Sequence, residues 1–148
     1  MGKAGKALVA ISDRENREAV VQALPACGFE PNFCSTIGEI QEILASEATA
    51  VLLYDTAFAD ASFDGLPRDI SSGELIPPVI VCSRFYDPAI YLEVIYRGAF
   101  DYIVYPYRSD GVRWILDTAL RRSFELAPES KVNSARETSS QWSRDAAH

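Results

Sequence analysis

A chain of 148 residues, 48% of them hydrophobic and 24% charged, has the make-up of one ordinary globular domain with enough apolar surface for a core, which excludes wholesale disorder. Its formal net charge of -7 is the opposite of what neutralising a phosphate backbone requires, so direct nucleic-acid binding is not expected. The three cysteines, Cys27, Cys34 and Cys82, are odd in number, widely spaced and set in apolar segments, which is the usage of buried, reduced thiols in the cytoplasm and not of a disulfide or zinc framework.

The start, Met1 to Lys6, precedes only about five apolar residues, too few for a secretory core or a membrane span, and Lys6 breaks the myristoylation pattern. Ala7 to Ile11 then reads as a first strand. A first helix over Arg14 to Leu24 carries Ala19, Val20, Ala23 and Leu24 on one face and stops at Pro25 and Gly28. Phe29 to Cys34 is a weaker strand whose Pro31 favours a place at or near a sheet edge. Thr36 and Glu39 have the spacing of a capping box for a second helix with Ile40, Ile43 and Leu44 on its apolar face.

Ala50-Val51-Leu52-Leu53-Tyr54 is an apolar run without alternation, the pattern of a strand covered on both faces, and it ends abruptly in Asp55. A third helix is expected, with poor marking, between Gly65 and Ser72, ended by Gly73 and Pro77-Pro78. Val79-Ile80-Val81-Cys82 reads as a fourth buried strand. A fourth helix over Pro88 to Tyr96 has proline in its first turn and Gly98 beyond its end, and Tyr102 to Tyr105 is a fifth strand. Ser109 is placed to cap a fifth helix with Asp110 at its start, Arg121-Arg122 near its end and Val112, Ile115, Leu116, Ala119 and Leu120 as its buried stripe.

Five strands alternating with five helices imply an α/β domain, a doubly wound parallel sheet of (βα)5 type, with the flavodoxin-like strand order 2-1-3-4-5. In that order the carboxyl ends of strands one and three are neighbours, the place where open α/β sheets bind ligands. The residues there are Ser12, Asp13 and Asp55, with Ser83 ending strand four and Tyr105-Pro106 ending strand five. No glycine-rich phosphate loop follows strand one, which speaks against a flavin or dinucleotide site.

At these residues, over about Lys6 to Leu126, the chain resembles the receiver domain of two-component response regulators. That family has a pair of acids after strand one, a phosphoacceptor aspartate after strand three, Thr or Ser after strand four and Lys-Pro after strand five. Here those positions hold Ser12-Asp13, Asp55, Ser83 and Tyr105-Pro106. Gly98-Ala99-Phe100-Asp101-Tyr102 and the Phe63-Asp64-Gly65 turn are further matches. The resemblance implies a signalling domain, not an enzyme, in which Asp55 accepts a phosphoryl group from a histidine kinase or phosphotransfer protein. It further implies Mg²⁺ held by Asp13, Asp55 and the Ala57 carbonyl, with Ser83 contacting the phosphoryl group and Tyr102 turned inward as the switch aromatic.

The chain departs from the family in three places. Ser12 removes one acid from the surroundings of the metal, and Tyr105 removes the lysine whose charge-assisted contact to the phosphoryl group contributes about 1.5–3 kcal/mol. Arg84 stands where the family has a small residue, so it reaches the phosphoryl group, blocks the site or points into water. Plainer readings stand beside these: Asp13 as a helix cap, Ser83 in a local hydrogen bond, Tyr102 and Tyr105 as packed strand residues, and Asp60 and Asp64 as solvated loop acids.

In receivers the face of the fourth helix, fifth strand and fifth helix carries dimerisation, and the aromatics from Tyr91 to Trp114 suit either such a homodimer interface or ordinary edge packing. Residues 127–148 are polar and read as a linker or flexible tail, either of a single-domain receiver or of a longer regulator. A second reading of the whole is a degenerate pseudo-receiver that acts as a phosphorylation-independent interaction module.

Overall fold

A computed structural model describes residues 5–55, 63 and 66–125. The strands are β1 (Gly5–Ala10), β2 (Phe29–Phe33), β3 (Val51–Tyr54), β4 (Val79–Ser83) and β5 (Asp101–Val104), and the helices α1 (Arg14–Ala23), α2 (Ile37–Ser46), α3 (Pro88–Tyr96) and α4 (Ser109–Glu125). All strand pairings are parallel, in the order β2-β1-β3-β4-β5, as the flavodoxin-like reading expects. Pro31 lies in β2, at a sheet edge, where its missing N–H breaks no inner ladder.

The unbroken apolar runs are explained by burial on both faces. In β1, Ala7 and Val9 pack with Val20, Ala23, Leu116 and Ala119 of α1 and α4, whereas Leu8 and Ala10 pack with Ile40 of α2 and Val94 of α3. Residues of β3 alternate in the same way, Val51 and Leu53 to one side, Leu52 and Tyr54 to the other. Each fully buried leucine or valine contributes on the order of 1.5–3 kcal/mol, so neither face tolerates a polar residue mid-strand. The three cysteines are all buried within these layers.

The expected third helix is not formed over its described part. Residues 66–75 instead make a turn closed by an antiparallel bridge between Arg68 and Leu75. Asp69 is the cause: its buried carboxylate accepts from the Ser72 N–H and hydroxyl, both at 2.9 Å, which offers the backbone an alternative to helix. Pro67 and Gly73 flank the turn, and the Gly73 N–H donates to the Asp69 carbonyl at 2.8 Å. The sheet is covered here by Phe63, Leu66 and Leu75. The fourth and fifth helices expected from the sequence are therefore α3 and α4.

Helix ends follow local chemistry. Asp13, Thr36 and Asp87 cap α1, α2 and α3 with their side-chain oxygens. Ser109 is itself the first residue of α4, one position inside the expected cap. The loop from 56 to 62, with Ala57 and Asp60, lies outside the described residues, as do Asp64, Gly65 and the polar segment 127–148.

Candidate functional site

The carboxyl ends of β1, β3 and β4 converge on a cavity of about 210 Å³ lined by Asp13, Asn16, Asp55, Cys82, Ser83, Arg84 and Phe85. β1 pairs directly with β3 and β3 with β4, so parallel register alone brings Asp13, Asp55 and Ser83 to one sheet edge. Asp55 is 4% exposed. Its Oδ2 accepts from the Ser12 N–H at 3.0 Å, the Asp13 N–H at 3.3 Å and the Ser12 hydroxyl at 3.4 Å. Three donors on one oxygen hold the carboxylate in place, and a hydroxyl at position 12 joins them where a second carboxylate would repel.

Asp13 has two tasks. Its Oδ1 caps α1, accepting from the Glu15 N–H at 3.1 Å and the Asn16 N–H at 3.5 Å. Its Oδ2 faces the Arg84 guanidinium at 3.4 Å, and the same guanidinium reaches Glu15 at 3.0 Å. Arg84 lines the cavity, its charge shared between two carboxylates. The Arg84 guanidinium carbon also lies 5.8 Å from the centre of the Phe85 ring.

The Ser83 hydroxyl lines the cavity and donates to the Phe85 carbonyl at 2.7 Å. Tyr102 is turned inward. Its hydroxyl donates to the Phe85 carbonyl at 3.1 Å and accepts from the Asp87 N–H at 3.3 Å, while its ring packs edge-on against Tyr86 and Tyr91. Tyr105 is 40% exposed and rests edge-on against Tyr107. Among the described residues, no group of three or more His, Cys, Asp or Glu side chains is placed to hold a metal.

Asn16 and Phe85 line the cavity without having been singled out from the sequence, and Tyr107 supports Asn16. Asn16 is buried on α1 and donates to the Cys82 carbonyl at 3.0 Å. Its Oδ1 accepts from the Tyr107 hydroxyl at 2.5 Å, which also lies 3.1 Å from the Ser83 carbonyl. Burial, reinforced by the nearby Cys82 and Asp55, holds the Tyr107 phenol protonated well above its ordinary range. Burial and then Asp55 likewise raise the Cys82 thiol. Neither group is poised as a nucleophile; Cys82 is a neutral wall of the cavity and Tyr107 a neutral group behind Asn16.

No protein-family model matches the chain. It is 25% identical over 138 residues to the regulatory protein AtoC of Escherichia coli, a match that covers 91% of this chain and 30% of that protein. The chain therefore spans about a third of the length of the curated relative it matches. Among solved structures it is similar to the N-terminal signal receiver domain of a two-component response regulator from Bacteroides fragilis, at TM-score 0.61 and 19% identity, covering 78% of this chain and 96% of that one. Full-length FixJ of B. japonicum aligns at TM-score 0.63 and 16% identity over 88% of this chain and 63% of its own. In its five-stranded order and along its sequence, the chain thus resembles the receiver domains of two-component response regulators.

Proposed function

We propose that the protein is a receiver of two-component signalling that accepts a phosphoryl group on Asp55, with Mg²⁺ as cofactor, from a phosphohistidine of a sensor histidine kinase or phosphotransfer protein. The observation that carries this reading is the meeting of Asp13 and Asp55 at one cavity, with Asp55 held by the Ser12 and Asp13 N–H groups. Similarity to response regulators supports it.

Two carboxylates facing one cavity are the donor set that Mg²⁺ takes, since it keeps several waters and binds one or two protein carboxylates. Asp13 and Asp55 would hold it, together with the Ala57 carbonyl. When bound, the ion offsets the repulsion between the Asp55 carboxylate and an anionic phosphoryl group. An Asp55 oxygen forms the bond to phosphorus as the phosphorus–nitrogen bond breaks, and the imidazole leaves with the electron pair. Ser83, by turning its hydroxyl from the Phe85 carbonyl, would donate to a phosphoryl oxygen. The freed carbonyl keeps its bond from Tyr102.

A second reading, the phosphorylation-independent interaction module, is favoured by the Ser83 hydroxyl already bonded to Phe85 and by Tyr105, which offers no cation. Tyr96, 90% exposed on α3, and Trp114, 67% exposed on α4, would serve its contacts, including a homodimer.

The two readings part in one measurement. Intact mass after incubation with Mg²⁺ and a small-molecule phosphodonor is expected to show a phosphate-sized gain on the parent chain and none on Asp55→Asn. No gain on the parent, with a competent receiver phosphorylated in parallel, leaves the interaction module as the function.

A further inference from the structure

Asp13 and Asp55 line the cavity, and Glu15 stands two residues beyond Asp13 in the first turn of α1. The Arg84 guanidinium bridges Asp13 and Glu15, with Nη1 3.4 Å from Asp13 and Nη2 3.0 Å from Glu15. Its side chain is about one-third exposed, neither sealed in the core nor free in water. Phe85 flanks it, and Arg84 directly follows β4.

We propose that Arg84 is a tethered competitor for metal, a built-in cation that neutralises Asp13 until a divalent ion displaces it. The proposal rests on the reading of Asp13 and Asp55 as the metal-holding pair. The Asp13 Oδ1 is committed to capping α1, so Oδ2 is the oxygen it can offer a metal, and that is the oxygen Arg84 faces. A hexacoordinate ion bound to Oδ2 and a guanidinium at 3.4 Å cannot share the space, and their like charges repel.

Arg84 must swing out as the ion enters, keeping Glu15 as a partner or moving into water. The site is then never without a positive charge. In the metal-free state, the Arg84 guanidinium offsets part of the negative charge of Asp13 and Glu15. This assigns to one residue two effects that oppose each other: weaker metal binding and a calmer empty site.

Binding of Mn²⁺, followed by loss of the free-ion electron paramagnetic resonance signal at low ionic strength, tests the proposal without any phosphodonor. Arg84→Ala and Arg84→Gln are both expected to bind Mn²⁺ about three- to tenfold more tightly than the parent, as removal of a partly screened cation next to a dication requires. The gain should shrink in 0.5 M salt, on the order of a 4 Å screening length. In an Asp13→Asn background, Arg84→Ala should give no gain over Asp13→Asn alone.

Equal or weaker binding by both Arg84 variants overturns the proposal, as does a gain that survives loss of Asp13. The two substitutions differ in length and polarity, and circular dichroism of each confirms that a folded chain is being compared. Failure of Asp55 to accept phosphate in the mass experiment would leave this result unchanged, so the two ideas fail separately.

Discussion

The Tyr107 phenol has one proton and two acceptors beside it, Asn16 Oδ1 at 2.5 Å and the Ser83 carbonyl at 3.1 Å. It ties α1 to the end of β4 from a position after β5, so three elements meet at one hydroxyl. Tyr107→Phe removes that donor and leaves a buried amide oxygen without it, at an expected cost of about 1–3 kcal/mol. Urea unfolding should show a lower midpoint with an unchanged slope; an unaltered midpoint would mean that the network is idle. Asn16 stands four residues before Val20, on the apolar face of α1, and that spacing is the signal that could have found it. Tyr107 has no such local mark. Arg84 was legible as a departure at its position, but its partner Asp13 lies 71 residues away and only the sheet brings them together.

Among the elements, the strands were the most legible, because a run buried on both faces is apolar throughout, as Ala7 to Ala10 of β1, all of β3 and Val79 to Cys82 of β4 are. The segment after residue 65 was misread for a physical reason. Its helix depended on weak marking, and a turn with a buried carboxylate at Asp69 competes by satisfying the same N–H groups locally. Beside that turn stands Gly98, at φ 108°, where a Cβ would lie 2.7 Å from Arg68 Nη1 and 2.9 Å from the Gly73 carbonyl oxygen. Arg68 Nη1 donates to the carbonyls of Gly73 and Arg97, so the intruding methyl strikes the bond that joins the turn to the end of α3. Gly98→Ala is expected to cost about 1–3 kcal/mol, from a left-handed backbone as well as the clash. Thermal unfolding checks it: a melting temperature equal to that of the parent would show that the loop yields freely.

For the molecule as a whole, the buried thiols and the Tyr107 phenol set an alkaline limit. Burial, with a smaller push from Glu39, raises the Cys34 thiol from its ordinary value of 9 to about 12. Cys27 and Cys82 are raised as well, and Tyr107 rises from its ordinary 10. In each case the unfolded chain loses its proton first, so the native state holds more protons once pH passes 9 and stability must fall from there upward. More than about one unit below pH 9 these groups are protonated in both states and contribute no slope. Urea midpoints at pH 6.5, 7.5 and 10 should be level between the first two and lower at the third; a level midpoint at pH 10 would contradict the burial of these groups. The turn over residues 66–75 adds a different, kinetic limit. It is fastened to α3 mainly by the Arg68 guanidinium and to α4 by the Arg122–Glu74 ion pair, with Leu66 and Leu75 as its apolar plugs. A patch held this way opens without the sheet coming apart, so its amide protons should trade with solvent long before those of β1 and β3, and the first breath this domain takes will be on the side where a helix was expected and a turn was built.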